Sequence, residues 1–71
     1  MTSIRSARLD VTASLHRGQR VAIETLTGTR VFGRVEFASD RLVTVKPSKH
    51  SRHTRTMKIR RVDIAYIVDQ G

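Results

Sequence analysis

The chain has no cysteine, no tryptophan, a single proline and only three aromatic residues. Without cysteine it has no disulfide and no thiolate zinc site to reinforce it. Its apolar residues never form a run of the ~18 needed to cross a membrane as a helix, and no signal-like apolar core is present, so a cytoplasmic location is expected. Chemistry is equally thin. There is no cysteine nucleophile, no carboxylate pair at useful spacing, no glycine-rich phosphate loop and no Ser-His-Asp set placed by a motif, which argues against an enzyme. Acids are scarce as well, six against fourteen Lys and Arg. At 71 residues the chain is one domain, and a domain of this size buries only ~60% of its unfolded surface. Burial against copies of itself is the cheapest remaining way to gain stability, so oligomerisation is expected.

What is present is positive charge: +8 on 8.1 kDa, with a pI near 11.6. A field of that sign draws polyanions, and every phosphate neutralised releases counterions. Eleven of the fourteen cations are Arg, whose planar fork suits phosphates and base edges better than an ammonium does. Half of the cations lie between residues 46 and 61, where no acid occurs. Lys46, Lys49, Arg52, Arg55 and Lys58 recur every third residue, followed by Arg60 and Arg61. A period of three fits neither a strand nor an α-helix, so the segment reads as an extended, solvated loop suited to sequence-blind phosphate contacts. His50 and His53 share it, but two imidazoles without Cys or carboxylate fall short of the roughly four ligands of a structural zinc. No metal and no cofactor are expected.

From Gln19 onward, short strands follow one another. Val21 and Ile23 alternate with Ala22 and Glu24, and Thr27-Gly28-Thr29 reads as a tight hairpin turn. Arg30 to Phe37 forms a second strand, with Val31, Val35 and Phe37 expected on one face and Gly33 marking a bend. Ala38 to Arg41 turns the chain, and Leu42 to Lys46 is a third strand. Pro47 to Thr54 is a polar loop, Thr56 to Arg61 a fourth strand, Val62-Asp63 a brief link, and Ile64 to Val68 a fifth. Five strands joined by tight turns read as a small barrel. Residues 1–17 are ambiguous. Ile4, Ala7, Val11 and Leu15 share a helical stripe, yet Leu9, Val11, Ala13 and Leu15 also alternate as in a strand.

Two stretches resemble the Sm-like (Sm/Lsm/Hfq) family over about residues 18 to 68. Glu24 to Val35, with Gly28 and Gly33 five apart, looks like its first motif, two glycines flanking a turn and a sharply bent strand. Ile59-Arg60-Arg61-Val62-Asp63-Ile64-Ala65-Tyr66-Ile67 is similar to its second. This sequence departs in places. Ser39 stands where the family has Asp, and Asp40 comes one residue late. Of the two registers, the strand period fits better the one with an extra residue, a bulge, before Asp40, which leaves Val43 and Val45 facing the core. Thr44 then replaces the family's Asn, Arg61 replaces its Gly, Leu42 takes the place of a common base-stacking residue, and the Lys-His pair of the Hfq type is missing.

The resemblance implies a strongly bent, five-stranded antiparallel barrel over 18–68, with an N-terminal helix or arm at 1–17, taken as helix. It also implies a homo-oligomeric ring of about six or seven subunits, in which the fourth strand of one copy pairs with the fifth of the next and removes two exposed sheet edges. The implied activity is non-catalytic binding of single-stranded RNA. Asp40, Thr44 and Arg60 are the family-matched pocket positions: Asp40 orienting Arg60 or a backbone group, Thr44 offering a hydroxyl, Arg60 stacking on or bonding a base. Arg61, Lys46, Lys49, Arg52, Arg55 and Lys58 complete the RNA-binding set. Phe32, out of phase with Val31, is the better stacking platform, and Phe37 and Tyr66 are assigned to core or interface. Two alternatives stay open: a basic structural or assembly barrel of the ribosome-associated or phage type without a base-reading pocket, and a DNA-binding small barrel.

Overall fold

A computed structural model describes residues 7–49 and 54–71 of the chain. They form one antiparallel sheet of six strands: β1 (Ala7–Leu9), β2 (Arg20–Thr25), β3 (Arg30–Ala38), β4 (Leu42–Pro47), β5 (Met57–Arg60) and β6 (Ile64–Asp69), in the order β1-β6-β2-β3-β4-β5. A single 3-10 turn, Arg61–Asp63, links β5 to β6. Among the described residues no helix is long and apolar enough to cross a membrane. The expected closed, five-stranded barrel is corrected in two respects. The strand count rises by one, and the sheet does not close, because its edges β1 and β5 are not paired with each other.

The sixth strand comes from the segment expected to be helical. Residues 7–17 hold β1 and an irregular arm rather than a helix, and residues 1–6 lie outside the described part. Strand-like alternation prevailed because β6 offers an open edge: β1 pairs with it at Ala7↔Asp69, Arg8↔Val68 and Leu9↔Ile67. The arm then keeps the same alternation, with Leu9, Val11 and Leu15 packed against the core while Asp10, Thr12 and Ser14 stay exposed. An Asx turn shapes it, in which the Thr12 N–H (2.8 Å) and hydroxyl (2.6 Å) both donate to Asp10 Oδ1.

The core is made almost wholly of β-branched side chains that suit a pleated surface. Val21, Ile23, Val31, Val35, Val43, Val45, Ile59, Ile64 and Ile67 are all buried on the inner face. β3 follows the two-residue period until Val35, then skips a step. Val35 faces Val45, but Phe37 faces Thr44, which leaves Glu36 as a bulge. The extra residue inferred ahead of Asp40 therefore falls here, and Val43 and Val45 both reach the core. The bulge also corrects the placement of Phe37. Expected on the face of Val31 and Val35, it is turned outward and is 56% exposed.

Gly33 permits the tight pairing of β3 on β4. A Cβ there would lie 2.1 Å from the Lys46 carbonyl oxygen and 2.9 Å from Pro47 Cα, both backbone atoms that cannot swing aside. Gly28 differs: its φ is +89°, in the hairpin turn, with open space around it. Gly33→Ala is expected to cost about 3 kcal/mol, as an overpacked backbone contact. Gly28→Ala, a matter of φ alone, is expected to cost only about 1 kcal/mol. Thermal unfolding of the two variants checks this, with the larger drop of roughly 10–20 °C at Gly33.

Candidate nucleic-acid interface

Side chains on the outer face of the sheet are placed by strand register. β2 and β3 leave the Gly28 turn in step, so Arg20 lies directly opposite Arg34, and β4 sets Lys46 opposite Arg34 in turn. Three cations thus form a row across three adjacent strands, and all three are exposed. Like charges directly opposite each other destabilise a sheet by roughly 0.2–1 kcal/mol per pair. No acid relieves them: among the described residues the ion pairs are Arg30–Glu24 and Arg60–Asp63.

Beside the row lies an open groove of about 560 Å³, lined by Arg20, Phe32, Gly33, Arg34, Lys46, Pro47, Ser48, Lys49 and Gln70. Its lining carries four cations, no acid and one aromatic ring. Phe32 is 38% exposed in its wall. The Ser48 N–H donates to the Phe32 carbonyl (2.8 Å), which holds the start of the basic loop against β3. Gly33 forms the floor because nothing larger fits between the strands there.

The β1–β6–β2 side of the same face sets an acid among its cations. Glu24 Oε1 accepts from Arg30 Nε (2.8 Å) and from the Tyr66 hydroxyl (2.8 Å), and the Arg8 guanidinium sits 4.5 Å above the Tyr66 ring. The Arg30 N–H, then the Tyr66 hydroxyl, hold the Glu24 carboxyl below the usual carboxylate range. The same bond to Glu24, with some burial, raises the Tyr66 phenol. Tyr66 is half-buried in this network.

The residues expected to bind RNA are distributed as follows. Lys46 and Lys49 line the groove. Arg55 and Lys58 are exposed before and on β5, while Arg52, with His50 and His53, lies outside the described residues. Thr44 faces outward on β4 between Phe37 and Lys58. Asp40 is exposed in the β3–β4 turn, and no hydrogen bond joins it to Arg60. Asp63 holds Arg60 instead, through Nε (2.9 Å) and Nη2 (3.4 Å). Within one chain the trio Asp40, Thr44 and Arg60 is therefore not drawn together by hydrogen bonds.

Arg61 needs correction. Expected at the RNA surface, it is 7% exposed, and its guanidinium donates to three backbone carbonyls: Ser39 (2.7 Å), Val11 (2.9 Å) and Ala13 (2.8 Å). A guanidinium stays charged when buried, and the carbonyl dipoles offset its lost hydration. It ties the arm and the β3–β4 turn to the β5–β6 joint.

Arg20, Arg34 and Gln70 are site residues that the sequence reading missed. The signal was present for the first two, because Arg20 and Arg34 lie equally far from Thr27, the centre of the hairpin turn, on outward positions. Gln70 carries no such signal and enters only because its N–H donates to the Arg20 carbonyl (2.9 Å). No family model, curated protein or solved structure matches the chain.

Arg61→Met is expected to remove about 3 kcal/mol of stability, because three carbonyls lose a charged donor. Urea unfolding measures the loss.

Proposed function

We propose that this chain binds single-stranded RNA without chemistry, as a ring-forming module of the Sm-like kind. The observation that carries the RNA reading is the unrelieved cation row Arg20–Arg34–Lys46 beside Phe32. A sheet gains nothing in stability from three facing cations, whereas a phosphodiester chain laid across them relieves the repulsion and releases counterions. A ring face among the cations favours an unpaired base over a duplex, since stacking needs an exposed π-surface.

The Sm-like part of the reading draws support from the bulge ahead of Asp40, from the Gly33 close approach, and from a sheet whose β5 edge is open. β1 covers only Ile67–Asp69 of β6, so Ile64–Tyr66 is left for a strand of another copy. In the proposed ring that strand is β5 of the neighbour. Sedimentation at tens of micromolar is expected to give about six or seven times the chain mass, with the β5 edge of each copy closed on the uncovered stretch of β6 in the next. A monomer at that concentration overturns the ring.

Replacing Arg20, Arg34 and Lys46 together by Gln tests the RNA reading. The plot of log affinity against log salt is expected to become shallower by about 2, at ~0.7 per lost phosphate contact on a single strand. Circular dichroism is expected to show the variant folded and no less stable than the parent. An unchanged slope assigns the row to plain solvation and overturns the reading.

A further inference from the structure

Two aromatic rings stand on the outer face of one strand. Phe32 and Phe37 both belong to β3, at 38% and 56% exposure, and Arg34 lies between them. Phe37 faces outward only because Glu36 is a bulge; without that register shift it would lie on the face of Val35. Among the described residues the other large exposed apolar side chains, Leu26 and Val62, lie off this strand, at the Gly28 turn and the β5–β6 joint, where the Leu26 N–H donates to the Asp63 carbonyl (2.8 Å). Cations accompany the two rings. Lys46 is opposite Arg34, and Thr44, opposite Phe37, is followed by Lys58 on β5. Acids on the adjoining segments are Glu36, 3.5 Å from the Thr56 hydroxyl, Asp40, exposed in the β3–β4 turn, and Asp63, held by Arg60.

We propose that this face carries one continuous single-strand track: a base stacks on Phe32, the phosphates that follow cross Arg34 and Lys46, and a second base stacks on Phe37. The track rests on the RNA reading above and deepens it by setting the ligand's length and conformation. With Glu36 taken up by the bulge, Phe32 and Phe37 are four strand steps apart, or ~13 Å at ~3.3 Å per residue. Stacked bases rise ~3.4 Å per nucleotide along one strand. The two stacked bases are therefore not consecutive, and those between them are free to pass over the cations. A dinucleotide is too short to reach both rings, and a hexanucleotide is long enough. The groove at Phe32, at about 560 Å³, falls within the size range of small-ligand sites.

The experiment compares Phe32→Leu and Phe37→Leu with the parent, since Leu keeps the apolar surface and removes the π-face. The probes are an RNA dinucleotide, followed by NMR titration, and a labelled RNA hexanucleotide and short RNA duplex, followed by anisotropy. Phe37→Leu is expected to weaken the hexanucleotide about tenfold, the size of one lost base–aromatic stack, and to leave the dinucleotide within about twofold of the parent, because it occupies the Phe32 groove alone. Phe32→Leu is expected to weaken both. The duplex is expected to bind more weakly than the hexanucleotide and to be insensitive to either change. A hexanucleotide affinity unmoved by Phe37→Leu overturns the track, as does a loss shared equally by the duplex. The charge-row variant separates this failure from the other: if its salt slope is shallower while Phe37→Leu is silent, RNA binding at the groove stands and the track alone falls. Thermal unfolding of both Phe variants is expected to match the parent at Phe37, which the core does not use.

Discussion

The pairing of β3 with β4 constrains both faces of this molecule. Gly33 brings the two backbones together where a Cβ would meet the Lys46 carbonyl oxygen at 2.1 Å. A few residues further along, the bulge at Glu36 shifts the register by one. The first feature sets Lys46 across from Arg34 and forms the groove floor. The second keeps Val35, Val43 and Val45 together in the core while turning Phe37 out to solvent. Core packing and surface chemistry are therefore outcomes of one strand pair, because residues on a strand alternate faces and any slip exchanges them.

Charge is divided across the outer face. On the β1–β6–β2 side, Glu24 binds Arg30 and Tyr66, and Arg8 stacks on the Tyr66 ring. On the β2–β3–β4 side, Arg20, Arg34 and Lys46 face one another without an acid. Exposed ion pairs contribute little to stability, typically 0–1 kcal/mol, so the Glu24 network is not what holds the fold. The contrast matters for the field: one side sets a carboxylate between two guanidinium groups, and the other presents concentrated positive charge around an aromatic ring. A third arrangement removes a cation from the surface altogether. Arg61 is spent on the carbonyls of Val11, Ala13 and Ser39 and locks the N-terminal arm in place.

Much of the sheet was legible. The alternation of Val and Ile placed β2 to β6 within a residue or two, Gly28 marked the hairpin, and the spacing implied by the Sm-like resemblance, set against the alternation of Val43 and Val45, pointed to an extra residue before Asp40. The N-terminal arm was not legible, because Leu9, Val11 and Leu15 fit a helical stripe and a strand alternation equally, and only the open edge of β6 separates them. Arg61 was misread for a related reason. In a run of basic residues nothing local distinguishes the one whose neighbours across the fold are carbonyls from those that meet water.

The sequence by itself determined a small, basic, antiparallel β domain, because strand periodicity, turn glycines and net charge are local or additive properties. Tertiary structure alone decided which cations stand together, which are neutralised and which are buried. It also decided that Phe37 faces outward and that the sheet stays open with a sixth strand along β6. These depend on cross-strand register and on long-range contacts such as Arg61 with Val11, and no pattern within a single segment encodes which distant residues will become neighbours.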